Sequence, residues 1–237
     1  MQKYNAQRQK YNARSFCRVE RTKTWKMSLF YNGMLRFVSS IGNEKMSMRN
    51  NKMLATQGEW SYMKIRAALA SDAQSIADIH TTSWRNTYQN ALTAQYLSDV
   101  VPQERNEVWA SRLDMPKPNQ HVVVAEQGGE ILGFACVYAA ENSKWGSYLD
   151  NLHVRKAHQS KGIGKSLLIE VFRWCHQQEP IGGLCLLVNQ ENVKAQAFYK
   201  SAGARNAQES VWNAPDGSVV PTYWFVWDKI GSLVENG

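Results

Sequence analysis

The chain has 237 residues, 43% hydrophobic and 11% aromatic, enough for a sizeable core in one large domain or two small ones. The net charge of +8 is unevenly spread: of 28 Lys/Arg and 20 Asp/Glu, 12 and 3 lie in residues 1–62, leaving 16 against 17. The basicity therefore belongs to a leader and does not mark the rest of the chain as a nucleic-acid binder.

The apolar runs are far shorter than the roughly 20 residues a membrane span needs, and no clean apolar block follows the basic start as a secretory signal would require. Cys17, Cys136, Cys175 and Cys185 form no CxxC and no His/Cys ligand spacing, so no metal is expected. Buried free thiols in a reducing, cytoplasmic setting are the natural reading.

Residues 1–62 are polar, rich in Asn, Gln and Arg, and show no sustained period of 2 or 3.6. They read first as a disordered extension, or as sequence ahead of a true start at Met63. An Arg-rich transit peptide and a nucleic-acid-binding arm are the alternatives. An organised pattern begins at Met63 and runs to the end, giving a domain over 63–237. A strand over Tyr62–Ala68 leads to Ser71, which is expected to cap a helix reaching about Tyr88. Two shorter helices are expected near Ala91–Asp99 and Gln103–Leu113, the second just after Pro102.

Two Val/Ile/Phe-rich runs around Gln127-Gly128-Gly129-Glu130 then predict a β-hairpin. A strand over Tyr148–Val154 enters a glycine-containing loop and a helix with Leu167, Leu168, Val171, Phe172 and Cys175 on one face. The strand Leu184–Val188 and a helix from Asn192 to about Ala202, closed by Gly203, follow. A last hairpin turns at Ala214-Pro215-Asp216-Gly217. Strands mixed with helices make an α/β domain with a mixed sheet and helices on both faces.

The loop "HQSKGIGKSLL" (His158–Leu168) carries the first chemical signal. A P-loop would need glycine where Gln159 stands, and a dinucleotide fingerprint would need glycine where Leu167 stands. What remains is Q-x-x-G-x-G over Gln159, Ser160, Lys161, Gly162, Ile163 and Gly164, opening a helix. Successive N–H groups from Ser160 to Lys165 at a helix N-terminus, with Lys161 and Lys165 beside them, suit a pyrophosphate. An ordinary glycine turn with solvated lysines is the bland alternative. The second signal, "LLVNQENVKAQAFYKSAGA" (Leu186–Ala204), reads L-x-V-x-x-x-N-x-x-A-x-x-F-Y-x-x-x-G-A.

In this order and separation the two blocks resemble the GNAT superfamily of N-acetyltransferases, over roughly Met63–Trp227. The resemblance implies acetyl-coenzyme A as co-substrate, lying in a gap between two splayed parallel strands, here Tyr148–Val154 and Leu184–Val188. It implies a bulge in the first strand, main-chain contacts from Leu152, His153 and Val154 to the pantetheine arm, and a pyrophosphate on Gln159–Lys165. Tyr199 matches the family tyrosine that protonates the departing thiolate; its other reading is a core tyrosine.

Asn192 is either an N-cap, a cofactor contact, or both. Some relatives carry a catalytic glutamate where this chain has Leu187, so that assignment fails here. Asp150 stands where other members place a base, and burial beside apolar strands would raise its pKa. A strand-end carboxylate is its plainer reading, and Glu126 with a relayed water stays open. His153 is expected to act through its backbone rather than its ring. Trp84 and Tyr88, four apart on the first helix, are candidate walls of a pocket for a small-molecule or peptide amine. A non-catalytic acyl-CoA-binding module is the rival function, and self-association into a homodimer is left open.

Overall fold

The computed structural model describes residues 62–231 and 233, so the readings made for the leader up to residue 61, Cys17 included, lie outside it. The first strand, β1 (Lys64–Ala67), is shorter than the expected Tyr62–Ala68. Its register explains this: Lys64 pairs with Glu126, and the partner strand β2 (Gln120–Gln127) turns back one residue later.

After β1 the chain makes a 3-10 turn, Ala70–Asp72, before helix α1 (Ala73–Thr87). Ser71 is not the cap that the sequence suggests. Asp72 organises the turn instead, because its carboxylate accepts the Leu69 N–H (2.8 Å) and N–H groups from both terminal guanidinium nitrogens of Arg66 (2.7 and 3.0 Å). A serine hydroxyl at 71 offers no such charge-assisted partner.

The two short helices expected between residues 91 and 113 are a single helical run. A π turn, Tyr96–Val100, passes directly into α2 (Val101–Asp114). Pro102 accounts for the wide turn. It has no N–H for the Ser98 carbonyl, and the Val101 N–H reaches back to Tyr96 rather than Leu97. Arg85 on α1 satisfies both freed carbonyls, donating Nε to Leu97 (3.0 Å) and a terminal nitrogen to Ser98 (3.0 Å).

The predicted hairpin is β2 and β3 (Glu130–Asn142), turning through Gly128 and Gly129 at φ 59° and 82°, the left-handed pair a two-residue hairpin turn needs. β4 (Gly146–Val154), α3 (Ile163–Gln178), β5 (Leu184–Asn189), α4 (Val193–Ser201), β6 (Arg205–Asn213) and β7 (Val219–Trp227) follow. The sheet order is β1-β2-β3-β4-β5-β7-β6, antiparallel except for the β4–β5 pair.

One face of the sheet is covered by α1 and α2, with Ile76, Ile79 and Trp109 packed on Val124, Phe134 and Tyr138. The other is covered by α3 and α4, where Leu167, Leu168, Val171, Phe172 and Cys175 are all buried, as their spacing predicts. Burial of side chains this size contributes roughly 1.5–3 kcal/mol each. A third cluster joins the end of α1 to the β6–β7 hairpin through Leu92, Tyr96, Leu97, Ala214 and Val220. Cys136, Cys175 and Cys185 are buried and free.

Candidate active site

β4 and β5 pair at only two positions, Ser147↔Leu184 and Tyr148↔Cys185. Beyond these, β5 continues its ladder only with β7, and β4 only with β3. The two parallel strands therefore part at Tyr148, and a slot opens toward their C-terminal ends. β4 carries a bulge at the same point: Cys136 faces Asn151 and Val137 faces Leu149, which leaves Asp150 as the extra residue.

Beyond the bulge, alternation along the β3–β4 ladder turns the main chain of Leu152 and Val154 toward the slot and that of His153 toward β3. The Gln159 side-chain amide donates to the Val154 carbonyl (3.1 Å), which ties the glycine loop to the strand.

In that loop Ser160 has φ 61° and Gly162 φ 84°, and α3 starts at Ile163. No protein group among the described residues accepts the N–H groups of Ser160 through Lys165; the first bonded amide is that of Ser166, which donates to the Gly162 carbonyl (3.0 Å). Six consecutive free amides at the positive end of a 16-residue helix, with exposed Lys161 and Lys165 beside them, form an anion cradle. A methyl group on Gly164 would lie 3.5 Å from the Phe198 ring and 3.7 Å from Leu152 Cδ2, so the loop, β4 and α4 meet there. Asn192 caps α4, its side-chain oxygen accepting the Ala195 N–H (3.1 Å).

Tyr199 is buried on the α3/α4 face against Trp227 and Phe225, and burial pushes its hydroxyl pKa up, with a smaller push from Tyr88. Tyr88 belongs to the opposite face, in the cluster at the end of α1. Tyr88 stacks edge-on with Trp84 (5.4 Å) and tilts against Trp212 of β6 (5.5 Å), while the Arg105 guanidinium lies 4.5 Å over the Trp84 ring. Burial raises the Tyr88 hydroxyl to about 12.

Asp150 projects toward α2. Its Oδ2 accepts from Arg112 (2.7 Å), which also donates to Asn151 (3.2 Å), and Oδ1 has no partner among the described residues. Glu126, the other carboxylate considered, lies two strands from β4 and is held by Arg66 (2.5 Å) and Lys64 (3.1 Å).

The His153 ring has more company than its sequence position suggests. Its Nδ1 shares a 2.8 Å hydrogen bond with Ser83 Oγ, and its ring lies 4.8 Å from that of buried His80. Burial, aided by the charge of Arg105, lowers its pKa to about 4. His80 is held well below the usual histidine range by burial and by His153. Trp109 Nε1–H donates to His80 Nδ1 (3.0 Å).

Of the candidates named from sequence, Leu152, Val154 and Gln159–Lys165 line the slot and its loop, Asn192 caps α4 and Tyr199 lies on it; His153, expected to offer its main chain to the pantetheine arm, instead turns that main chain to β3 and its ring to Ser83 and His80. Trp84 and Tyr88 stand on the opposite face of the sheet from Tyr199. Arg112, Trp212, Ser83 and His80 were not singled out, since each reaches the site by a contact with no local pattern. Among the described residues no His, Cys, Asp and Glu group is placed to hold a metal ion, and no helix is long and apolar enough to cross a membrane.

The model of the Acetyltransferase (GNAT) family matches residues 74–204. An uncharacterized N-acetyltransferase of Bacillus subtilis is 25% identical over 173 residues, 67% of this chain and 96% of its own length. A protein named as a probable N-acetyltransferase in Mycobacterium tuberculosis is 24% identical over 165 residues, covering 68% of this chain and 91% of its own length.

Among solved structures, PaiA N-acetyltransferase from Thermoplasma acidophilum, in complex with coenzyme A, superposes with a TM-score of 0.52 at 17% identity, over 68% of this chain and 98% of that one. The Salmonella typhimurium protein yncA, solved with acetyl-CoA, does so with a TM-score of 0.53 at 18% identity, over 72% and 95%. At these identities the superpositions speak for the fold. The family match covers more than half of the sequence and contains both the glycine loop and the Asn192–Tyr199 helix, and so the chain belongs to the Acetyltransferase (GNAT) family.

Proposed function

We propose that this protein transfers the acetyl group of acetyl-coenzyme A to the primary amine of a small molecule or peptide, by direct attack on the thioester. The observation that carries the reading is the parting of β4 from β5 at Tyr148, beside six unpartnered amides at the start of α3. The cradle from Gln159 to Lys165 takes the pyrophosphate, and the main chain of Leu152 and Val154 pairs with the pantetheine arm as a strand would. An N–H on that edge also polarises the thioester carbonyl. Asn192 holds the start of α4 in place behind the arm.

The acceptor amine approaches from the α1/α2 face, past Trp84 and Tyr88. Its nitrogen forms the new bond to the carbonyl carbon, the carbon–sulfur bond breaks, and the departing thiolate takes the Tyr199 proton. A phenol held protonated by burial is suited to that donation at neutral pH. Asp150 serves as the base that relieves the ammonium of its proton. Arg112 anchors Oδ2 and leaves Oδ1 for a water or the amine itself. Three buried free thiols fit a reducing cytoplasm.

Thiol release from acetyl-CoA, followed across a panel of primary amines with the full chain, tests the proposal. Acceptor-dependent release is expected. A folded protein that binds CoA yet releases no thiol with any amine overturns the enzymatic reading in favour of a binding module.

A further inference from the structure

The strand beside the slot carries one side chain that the cofactor reading does not use. Leu152 and Val154 pack on the α3/α4 core, so alternation along β4 sends the His153 ring to the α1/α2 face, the acceptor's side in the proposed reaction. The ring is partly exposed there and is backed by His80 at 4.8 Å, whose own Nδ1 is fixed by the Trp109 indole (3.0 Å). Ser83 Oγ has no other acceptor for its hydrogen among the described residues, so it donates to His153 Nδ1 (2.8 Å), and the neutral ring carries its own hydrogen on Nε2. That Nε2–H has no partner among the described residues, and it is open to solvent where His80 Nε2 is sealed.

A cation stands on the same face. Arg105 of α2 is 9% exposed, and its guanidinium covers the Trp84 ring, which meets His80 edge-on at 5.3 Å. Trp84 also follows Ser83 in α1, so ring contacts and helix both join Arg105 to the His153 group. Among the described residues its one ion-pair partner is its chain neighbour Glu104 (2.8 Å), whose second oxygen accepts from the Tyr96 hydroxyl (2.5 Å). Nη1 has no partner among them and, unlike Nε, is not sealed. A guanidinium with five donors is costly to bury with so few of them used.

Arg105, Trp109 and Arg112 follow at i, i+4 and i+7 on one stripe of α2, with the Arg112 guanidinium 5.1 Å from the Trp109 ring. Arg112 holds Asp150 by Oδ2 and leaves Oδ1 open. The face thus has two ends of opposite demand: an open carboxylate oxygen at Asp150, and open N–H groups at His153 and Arg105. Seven residues of helix set the two arginines roughly 10 Å apart at their roots. Three residues of strand set Asp150 and His153 at most about 10 Å apart, and side chains reaching inward shorten both spans. We infer that the acceptor carries a carboxylate, held by His153 Nε2–H and Arg105 Nη1, several bonds away from the amine that meets Asp150. An uncharged oxygen would satisfy His153 but leave the guanidinium without an anion, and an alkyl end would leave both unpaired. The inference rests on the acetyl-transfer reading and deepens it, naming an amino acid or a short peptide with a free carboxylate as the acceptor class.

The test is calorimetric binding to the full chain saturated with CoA, using ω-amino acids, ω-aminoalkanamides and n-alkylamines of matched lengths from three to eight carbons. At the length that spans the site, the acid is expected to bind at least tenfold more tightly than its amide and alkyl counterparts. His153→Phe keeps a ring against His80 and Phe134 without a donor. It should weaken acid and amide by about tenfold and leave the alkylamine unchanged, while His153→Gln, which returns an N–H to about the reach of Nε2, should recover most of the loss. Arg105→Met keeps a straight chain over Trp84 without the charge, and should bring acid and amide within about twofold of each other.

Amide or alkylamine binding as tight as that of the acid at every length, no binding by any of the three, or an acid preference that survives both His153→Phe and Arg105→Met overturns the proposal. Thiol release from acetyl-CoA with the same amines separates the two readings. Acid preference without turnover sinks acetyl transfer and leaves the carboxylate subsite standing, whereas turnover without acid preference does the reverse.

Discussion

The closed end of the slot is set by a glycine whose replacement should be felt at both ends of the molecule's chemistry. Gly183 precedes β5, and its carbonyl accepts the Ser147 N–H (3.0 Å), the contact just before β4 and β5 begin to pair. A Cβ there would lie 2.7 Å from the Trp227 carbonyl oxygen and 2.8 Å from that of Trp145, with the Asp228 oxygen at 3.2 Å. All three are main-chain atoms of neighbouring strands, so no side chain can swing away. The strands themselves must move by roughly half an ångström.

Overpacking of this kind costs about 1–3 kcal/mol. For a domain of this size each kcal/mol lowers the melting temperature by roughly 2–4 °C, so Gly183→Ala should melt about 2–12 °C early. Because the displaced strands flank the apex of the slot, CoA affinity should fall as well, by about tenfold. Thermal melts and calorimetric CoA binding of the full chain measure both. Gly164→Ala is the comparison: its Cβ would meet only side-chain atoms at 3.5 Å or more, and its melt should stay within about 1 °C of the parent. A Gly183→Ala protein with parental melting and parental CoA affinity would falsify the account of how the strands are held.

Three further outcomes are expected. Tyr199→Phe keeps the ring packing on Trp227 and Phe225, so the melt should not change while kcat falls about 100-fold; an unaltered kcat removes Tyr199 from the acid role. Asp150→Asn can still accept from Arg112 but cannot take a proton. The neutral-pH kcat/KM should drop at least tenfold, with part of the loss recovered at high pH; a flat comparison of the two proteins dismisses Asp150 as the base.

Stability should fall as pH drops from about 6.5 to about 4. Over that window an unfolded His153 binds a proton that the folded one refuses, and His80 acts in the same direction. The shift from 6.5 to about 4 corresponds to a loss of up to about 3 kcal/mol from His153. Urea titrations at pH 7, 5.5 and 4.5 that coincide would rule this out.

What was legible in the sequence was whatever a short window contains. Gly128-Gly129 dictates its own turn, the spacing Leu167-Leu168-Val171-Phe172-Cys175 dictates a buried helix face, and Asn192 dictates a cap. The misread pieces have tertiary causes. Ser71 and Asp72 are equally good caps by residue type, and only Arg66 arriving from β1 decides between them. The gap expected between two helices is bridged because Arg85, on another helix, satisfies the carbonyls that Pro102 strands. The same limit governs the site. Asp150 and the glycine loop could be listed from sequence, but Arg112 lies 38 residues away from Asp150 in the chain, and Trp212 joins Trp84 and Tyr88 only through the register of the last hairpin.

The bulge and the parting of the strands belong to one arrangement. With Asp150 inserted, two successive side chains, Asp150 and Asn151, turn toward α2, and a single guanidinium from Arg112 gathers both. Pairing with β5 ends at Tyr148, two residues before the insertion, so beyond it β4 presents an unpaired strand edge inside a sheet, a feature proteins otherwise cover. Here the edge is neither at the rim nor open to another chain, because α3 and α4 lie over one face and α1 over the other. An extended ligand with its own amide groups can complete it, and a ligand that also ends in phosphates meets the α3 amides at the slot's mouth. Under the proposed function, Arg112 is thus tied both to the candidate base and to the opening of the slot. Arg112→Leu should therefore weaken CoA binding even though Arg112 lies on the opposite face of the sheet from α3. An Arg112→Leu protein that binds CoA as the parent does would separate the bulge from the opening of the slot.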